Sequence, residues 1–231
     1  DGGKNLDPEV AVQQAKKLLA AGADIIDVGG ESTRPGAKQI SLSLERSRVI
    51  PVIKELSRLD IPVSIDTQKL EVMQEAIDGG ACLVNDVSGA QTPEVASLVA
   101  RTGVGICVMH MQGSPQTMQQ APSYLDVVAE VSAYLRDRVV ACVAAGIEAN
   151  RLLVDPGFGF GKTLEHNLSL LRELPSARVG DCPILVGLSR KTMIGRMTGQ
   201  PVEGRLSGSL AVLLLALQNG ADLVRVHDVA E

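Results

Sequence analysis

The stretch GADIIDV at residues 22–28 decides the fold, because nearly the same stretch, GADLVRV, returns at residues 220–226. In both copies a glycine ends a helical pattern, and an apolar run follows that is too hydrophobic to have a solvent-facing side. Such a run indicates a short strand buried in a parallel sheet. One kind of helix–strand joint therefore occurs near both ends of the chain.

The same alternation continues along all 231 residues. Strands are predicted at residues 24–30, 62–67, 82–89, 105–110, 152–157, 183–189 and 223–229. The first helix is predicted after Asp7-Pro8, and further helices near residues 42–58, 69–79, 93–102, 123–145, 164–174 and 203–219. Alternating helices and strands predict a parallel sheet that is covered by helices.

Seven helix–strand units fit either a closed barrel or an open, doubly wound sheet. Because the chain begins with a helix and ends with a strand, one added strand in front and one added helix behind would give eight strand–helix units. Eight is the number that closes a barrel. The sequence therefore predicts an α/β fold, a (β/α)8 TIM barrel that lacks the first strand and the last helix, as a single domain over residues 1–231. An open sheet is the alternative.

Composition excludes several classes of function. A formal net charge of −5 and an aromatic content of 2% argue against a nucleic-acid partner. The longest wholly apolar run, at residues 210–217, is far shorter than the ~20 residues that a membrane span needs. The four cysteines are far apart in sequence and predict free, buried thiols in a cytoplasmic protein.

Polar residues collect at the carboxyl ends of the predicted strands, where barrel enzymes place their catalytic groups. They are Asp27, Glu31 to Arg34, Asp66-Thr67, Asn85-Asp86, His110, Asp155, Ser189 to Lys191, Arg225, His227 and Asp228. One aspartate after a strand is often only the N-cap of the next helix. Seven such strand ends in series indicate a functional site.

The charges at these ends indicate what the site binds. Four cations follow the last two predicted strands, where barrels often hold phosphate: Arg190, Lys191, Arg225 and His227. Together with Arg34 they favour a phosphate or pyrophosphate group. The acceptors Asp66, Asn85 and Asp155 favour a flat heterocycle that is rich in N–H donors. A divalent metal, such as magnesium, is the alternative ligand for these carboxylates.

The segment DPGFGFGKT at residues 155–163 ends like a phosphate-binding P-loop. A P-loop requires a glycine five residues before the Gly-Lys pair, and that position holds Pro156. The segment also contains both phenylalanines of the chain, Phe158 and Phe160. It is therefore predicted to approach an aromatic ligand with its glycine backbone rather than to hold a nucleotide.

Seven motifs, in order and in register, resemble the dihydropteroate synthase family of bacterial folate biosynthesis. They are DVGGESTRPGA, PVSIDT, VNDVSG, VMHMQGSPQTMQ, DPGFGFGK, GLSRKTMIG and RVHDVAE. The resemblance runs through the whole chain. It implies a (β/α)8 barrel that condenses 6-hydroxymethyl-7,8-dihydropterin pyrophosphate with p-aminobenzoate, with Mg²⁺ as cofactor. It also implies inhibition by sulfonamides and a homodimer.

The resemblance also implies the site residues. Asp66, Lys191 and Arg225 would be catalytic. The pterin would bind Asp66, Asn85, Met109, Asp155, Gly159, Phe160, Gly187, Lys191 and Arg225. Pyrophosphate would bind Thr33, Arg34, Arg225 and His227. The p-aminobenzoate pocket would be formed by Ser32, Thr33, Pro35, Phe160, Ser189 and Lys191.

The chain departs from the family pattern at its start. Of the family motif that runs from Asn-Val-Thr-Pro-Asp-Ser-Phe-Ser to Asp-Gly-Gly, only Asp1-Gly2-Gly3 is present, so the asparagine expected to contact magnesium would lie upstream of residue 1. Three alternatives stay open at this point. They are a pterin-dependent methyltransferase, a Schiff-base aldolase that uses Lys191, and a pterin-binding module without catalysis.

Overall fold

The computed structural model describes Gly3 and residues 5–231, and it consists of seven short parallel strands that alternate with helices. The strands are β1 (Ile26–Gly29), β2 (Val63–Asp66), β3 (Leu83–Asp86), β4 (Gly105–Met109), β5 (Leu152–Asp155), β6 (Leu185–Val186) and β7 (Leu223–Val224). Hydrogen bonds order them as β1-β2-β3-β4-β5 and β6-β7. A parallel bridge from Val154 to Ile184 joins the two groups. The strands therefore follow one another in chain order.

Eight α-helices connect and flank these strands. They are α1 (Pro8–Ala20), α2 (Leu42–Arg58), α3 (Leu70–Asp78), α4 (Pro93–Thr102), α5 (Val127–Ala144), α6 (Leu164–Arg172), α7 (Thr192–Thr198) and α8 (Leu206–Gln218). As the sequence indicates, α1 begins after Asp7, whose side chain accepts hydrogen bonds from the amides of Glu9 and Val10. No helix within residues 5–231 is long and apolar enough to cross a membrane.

The row of strands curls, so that its two ends approach each other. In a flat sheet, β7 would lie six strand spacings of about 4.8 Å from β1, roughly 29 Å away. Arg225, which directly follows β7, nevertheless forms ion pairs with Asp27 on β1 and Asp66 on β2. Among the described residues, no strand pairs with the remaining edges of β1 and β7. The wall is thus curved like a barrel.

Two of the predicted strands are much shorter than expected. Only two residues of β6 and two of β7 pair, although the sequence predicts strands over 183–189 and 223–229. The residues after β6 turn into a loop and then into α7, a helix that the sequence patterns did not reveal. The loop backbone there includes Arg190 at φ +58°. The chain leaves the sheet early, so the polar residues lie beyond the strand ends.

Candidate active site

The strand register brings the predicted acceptors to the same face of the sheet, with Asp155 two residues further along than Asp66 and Asn85, because Asn85 pairs with Cys107. Asp66 pairs with Asn85 across β2 and β3, and Met109 pairs with Asp155 across β4 and β5. Residues in register on parallel strands point to the same side of a sheet. All four are almost completely buried. The carboxyl ends of four neighbouring strands therefore contribute to one surface.

Arg225, which follows the last strand, contacts this surface from the opposite end of the sheet. Its Nε lies 2.7 Å from Oδ2 of Asp27, and its Nη2 lies 2.9 Å from Oδ2 of Asp66. The side-chain amide of Asn85 donates to the same oxygen of Asp27, at 3.1 Å. The guanidinium group therefore links the end of β7 to β1 and β2. The Arg225 side chain is 45% exposed at the barrel mouth, by which we mean the side of the sheet where the carboxyl ends of the strands lie.

Each of these two carboxylates has one oxygen left over. Oδ1 of Asp27 and Oδ1 of Asp66 are buried, and neither has a hydrogen-bond partner among the described residues. A buried acceptor without a partner is costly, typically by about 1–3 kcal/mol. Such atoms in a ligand-free site indicate where the N–H donors of a ligand belong.

The environment of the carboxyl groups changes their acidity. Burial raises the pKa of Asp66 to about 7, although Arg225 opposes the increase. Burial also raises the pKa of Asp155, against the opposing charge of Lys191. Acids whose pKa values are displaced by burial next to fixed cations are typical of functional sites. Asp66 is therefore close to its titration midpoint at neutral pH.

Lys191 contacts the loop that follows β5. Its ammonium group donates to the carbonyl of Phe158 and lies 4.6 Å from the centre of the Phe160 ring. Burial lowers the pKa of Lys191 to about 8. A Cβ on Gly159, which has φ +79°, would lie only 3.2 Å from Cδ of Lys191. Gly187 is also adjacent to this ammonium group.

Lys162, the lysine of the P-loop-like segment, stabilises the loop that contains it. The buried ammonium group of Lys162 lies 2.9 Å from Nδ1 of His110, and it donates to the carbonyls of Gly157 and Phe160 at 2.9 and 3.0 Å. Burial lowers the pKa of Lys162 to about 7 and that of His110 to about 3. A Cβ on Gly157 would lie 1.8 Å from the His110 carbonyl oxygen. Lys162 therefore fixes this loop against β4.

The cations after β6 and β7 have different environments. Nδ1 of His227 lies 3.0 Å from Oγ of Ser189, and burial lowers the pKa of His227 to about 4, so the imidazole is neutral at pH 7. Arg190 is held by both carboxylate oxygens of Asp228. Both guanidinium groups of the predicted cationic cluster are therefore paired with carboxylates, Arg190 with Asp228 and Arg225 with Asp27 and Asp66, while the Lys191 ammonium group donates to a backbone carbonyl.

The segment from Ser32 to Pro35 stands apart from this cluster. Ser32, Arg34 and Pro35 are exposed, and Thr33 is partly buried. Within the described part of the chain, no hydrogen bond or ion pair links these four residues to the strand-end cluster. The loop is instead attached elsewhere, because the amide of Gly36 donates to the carbonyl of Pro115.

The structure thus brings most of the predicted site residues to one opening and adds Asp27 to them. Asp27 is absent from the predicted pterin set, although it ends a strand in the same way as Asp66 and Asp155 do. The position of Asp27 at a strand end does not by itself predict that Asp27 and Asp66 both form ion pairs with Arg225. That contact depends on the curl of the sheet.

Comparison with known proteins agrees with this geometry. The family model described as "Pterin binding enzyme" matches residues 1–227. Dihydropteroate synthase of Escherichia coli is 48% identical over 232 residues, which cover 100% of this chain and 82% of that protein.

Two solved structures extend the comparison. The Yersinia pestis dihydropteroate synthase in complex with a sulfonamide drug superposes with a TM-score of 0.95 at 44% identity, covering 100% of this chain and 84% of that one. The Burkholderia cenocepacia dihydropteroate synthase with 7,8-dihydropteroate gives a TM-score of 0.91 at 45% identity, covering 96% of this chain and 82% of that one. The predicted α/β barrel fold is confirmed. The chain belongs to the pterin-binding enzyme family and, within it, to the dihydropteroate synthases.

Proposed function

We propose that this site condenses 6-hydroxymethyl-7,8-dihydropterin pyrophosphate with p-aminobenzoate, which yields 7,8-dihydropteroate and pyrophosphate. One observation carries the proposal: two buried carboxylate oxygens without partners lie beside Arg225, at the barrel mouth. They suit the N–H edge of a pterin, and the cation suits a departing anion. The relative from B. cenocepacia, solved with 7,8-dihydropteroate, supports the same assignment.

The pterin ring is assigned to the inner-face cluster. Asp66 and Asp155 accept hydrogen bonds from its N–H groups, and Asn85 supplies both a donor and an acceptor for a mixed edge. Lys191 donates to a ring acceptor. Met109, Gly159, Phe160 and Gly187 form the slot around the ring. Asp66, Lys191 and Arg225 are the proposed catalytic residues.

The pyrophosphate is assigned to Arg225, His227, Thr33 and Arg34. The bond between the pterin methylene carbon and the pyrophosphate oxygen breaks first, and its electron pair leaves with pyrophosphate. The pterin ring shares the positive charge that develops, and ionised Asp66 stabilises it. The arylamine nitrogen then bonds to the methylene carbon and loses a proton. His227, neutral at pH 7, contributes a hydrogen bond rather than a charge.

The p-aminobenzoate pocket is assigned to Ser32, Thr33, Pro35, Phe160, Ser189 and Lys191. The contact of Ser189 with His227 supports this placement, because it joins the arylamine side of the mouth to the pyrophosphate side. Sulfonamides resemble p-aminobenzoate in shape and charge. We therefore infer that they compete for this pocket, in line with the sulfonamide complex of the Y. pestis relative.

Magnesium, which the family resemblance implies, is proposed as the cofactor, and such an ion is usually held by one or two carboxylates together with waters and substrate phosphates. Among the described residues, no three His, Cys, Asp or Glu side chains are grouped so that they could hold a metal ion. The free oxygens of Asp27 and Asp66 belong to carboxylates that already pair with Arg225. In the proposed mechanism the chain's own residues perform the steps above, and bound Mg²⁺ would neutralise charge on the pyrophosphate.

The proposed active form is a homodimer of single pterin-binding barrel domains, each spanning residues 1–231, in the cytoplasm. Cys107, Cys142 and Cys182 are buried free thiols, which agrees with a reducing compartment, whereas Cys82 is exposed and the prediction that all four are buried is wrong there. Leu210, Leu214 and Leu217 form a stripe on α8 and are 39, 58 and 48% exposed, which favours coverage by a second copy.

The dimer is tested by sedimentation equilibrium. We expect the parental protein to sediment as a dimer at micromolar concentration and Leu214→Lys to sediment as a monomer, because a buried lysine without a partner opposes association. Ala133→Lys, on the exposed side of α5, is the matched control and should remain dimeric. A parental protein that is monomeric at these concentrations would contradict the proposal.

The reaction is tested by a coupled assay of pyrophosphate release. We expect release that requires both substrates, and a sulfonamide should raise the KM for p-aminobenzoate without lowering kcat at saturation. Saturable pterin binding without any release would instead indicate a binding module. Methyl transfer from methyltetrahydrofolate to a corrinoid acceptor would indicate the methyltransferase alternative.

A further inference from the structure

A partly buried network of charged side chains includes Glu31, the residue that precedes the loop of Ser32 to Pro35. The ammonium group of Lys69 lies 2.7 Å from Oε2 of Glu31 and 2.5 Å from Oε2 of Glu45. The hydroxyl of Thr67 donates to the other oxygen of Glu45. Glu45 is 1% exposed, whereas the side chains of Lys69 and Glu31 are 26% and 17% exposed, so the network is partly shielded from solvent. None of these four residues belongs to the proposed substrate site.

The network holds both ends of the longer segment 31–40, which contains that loop. The carboxylate of Glu31, the residue before Ser32, accepts a hydrogen bond of 2.8 Å from the amide of Ile40. It therefore closes the segment between them into a ring. Arg48 of α2 donates to the carbonyl of Gly30 just before the loop, at 2.9 Å. A Cβ on Gly30 would lie 2.8 Å from Val49 of α2, so the backbone is packed tightly against that helix.

The same network also reaches the end of β2. Thr67 immediately follows Asp66, and its hydroxyl accepts a hydrogen bond from the amide of Lys69 while it donates to Glu45. Burial acts to lower the pKa of Lys69, but its hydrogen bonds with Glu31 and Glu45 outweigh that effect and raise the pKa. Lys69 therefore stays charged at neutral pH. Through its contacts with Glu31 and Glu45, the Lys69 ammonium group connects the end of β2 with the loop of Ser32 to Pro35.

We infer that Glu31, Glu45 and Lys69 are positioning residues that hold the loop of Ser32 to Pro35 in place for the arylamine. The inference rests on the function proposed above and adds the residues that set arylamine affinity. Charged groups that are buried and mutually paired hold a fixed geometry, because breaking one contact leaves an uncompensated charge. The loop itself has few other attachments. We therefore expect its position relative to the strand ends to depend on this network.

Steady-state kinetics of Lys69→Met and Glu31→Ala test the inference. Each variant is expected to raise the KM for p-aminobenzoate about tenfold, to change kcat less than threefold, and to leave pterin affinity within twofold. Glu31→Gln keeps an acceptor for the Ile40 amide and should restore part of the affinity. The matched control is Arg46→Met, which removes an exposed ion pair with Glu75 between the same two helices, α2 and α3. It should behave like the parental protein.

Amide exchange on the ligand-free protein gives a second readout that does not need activity. The Ile40 amide is expected to exchange at least fivefold faster in Glu31→Ala than in Glu31→Gln. An unchanged KM for p-aminobenzoate in both Lys69→Met and Glu31→Ala overturns the inference, whatever the exchange rates. Equal losses of arylamine and pterin affinity also overturn it. If the parental protein releases no pyrophosphate, the proposed function is refuted. In that case, an Ile40 amide exchange rate that is equal in Glu31→Ala and Glu31→Gln separately refutes the inference that the network holds the loop.

Discussion

Replacing Lys191 by methionine is expected to lower kcat/KM for the pterin substrate by about 100- to 1000-fold. The variant keeps most of the side-chain length but loses the ammonium group that lies between the carbonyl of Phe158 and the Phe160 ring. A single preorganised donor in a buried site typically contributes about 2.7–4 kcal/mol to catalysis. The fold should persist, because the methylene groups still fill the space beside Gly159.

The pH profile gives this variant a distinct signature. Since the pKa of Lys191 is lowered to about 8, its positive charge is lost as the pH rises through that value. The activity of the parental protein should therefore fall above about pH 8, and this limb should be missing from the residual activity of Lys191→Met. Lys54→Met, at an exposed position of α2, is the control and should retain the parental profile.

The same lysine allows a test of the aldolase alternative. A lysine with a pKa near 8 has the unprotonated fraction that a Schiff base requires, so the chemistry has to be tested directly. Borohydride treatment together with a carbonyl substrate should leave Lys191 unmodified in a peptide map. A reduced adduct at Lys191, or near-parental turnover of Lys191→Met, would contradict its assignment to the pterin ring.

Replacing Asp66 by asparagine is expected to abolish most turnover while it stabilises the ligand-free protein. Asparagine keeps the shape of the side chain but cannot provide two acceptor oxygens or a negative charge for the developing cation. We expect kcat/KM to fall at least about 100-fold, in the range seen when one electrostatic group is removed from an active site. The control is Asp137→Asn, an exposed carboxylate on α5.

The change in stability depends on pH in a definite direction. The pKa of Asp66 is raised from 3.8 to about 7, so the folded protein binds a proton that the unfolded chain releases. The free energy of unfolding of the parental protein therefore falls as the pH rises from about 4 to 7, and the loss is complete above that window. Asp66→Asn does not titrate. It should match the parental protein near pH 4 and exceed it by about 1–3 kcal/mol at pH 8.

Denaturant unfolding at pH 4.5 and pH 8 measures both parts of this expectation. A stability gain that is equal at the two pH values would mean that the burial of the charge is not its cause. A loss of stability at pH 8 would mean that the ion pair with Arg225 outweighs the burial cost. Either result would require a different account of why the ligand-free site is strained.

The sequence reveals most of the site because the barrel places function at one kind of position. Alternation of helix and strand predicts parallel strands, and parallel strands bring their carboxyl ends together. Asp66, Asn85 and Asp155 follow from that rule alone. The order of their strands in the sheet needs no further information, because β1 to β5 pair in the order in which they occur along the chain.

Contacts between distant parts of the chain could not be predicted in this way. The bridge from Arg225 to Asp27 joins the last strand to the first described one, so it depends on the curvature of the whole sheet. The pairing of Arg190 with Asp228 likewise removes one cation from the expected phosphate cluster. The contact of Lys162 with His110 depends on how two loops fold over each other. Local patterns contain none of this information.

The central claim is that one opening holds the pterin ring between the strand-end carboxylates and Lys191. A crystal structure of the protein with 6-hydroxymethylpterin tests it most directly. The account predicts the ring within hydrogen-bond distance of Asp66, Asn85 and Asp155, with Oδ1 of Asp66 accepting a bond from it. A ring bound elsewhere, with that oxygen still unpartnered, would contradict the account.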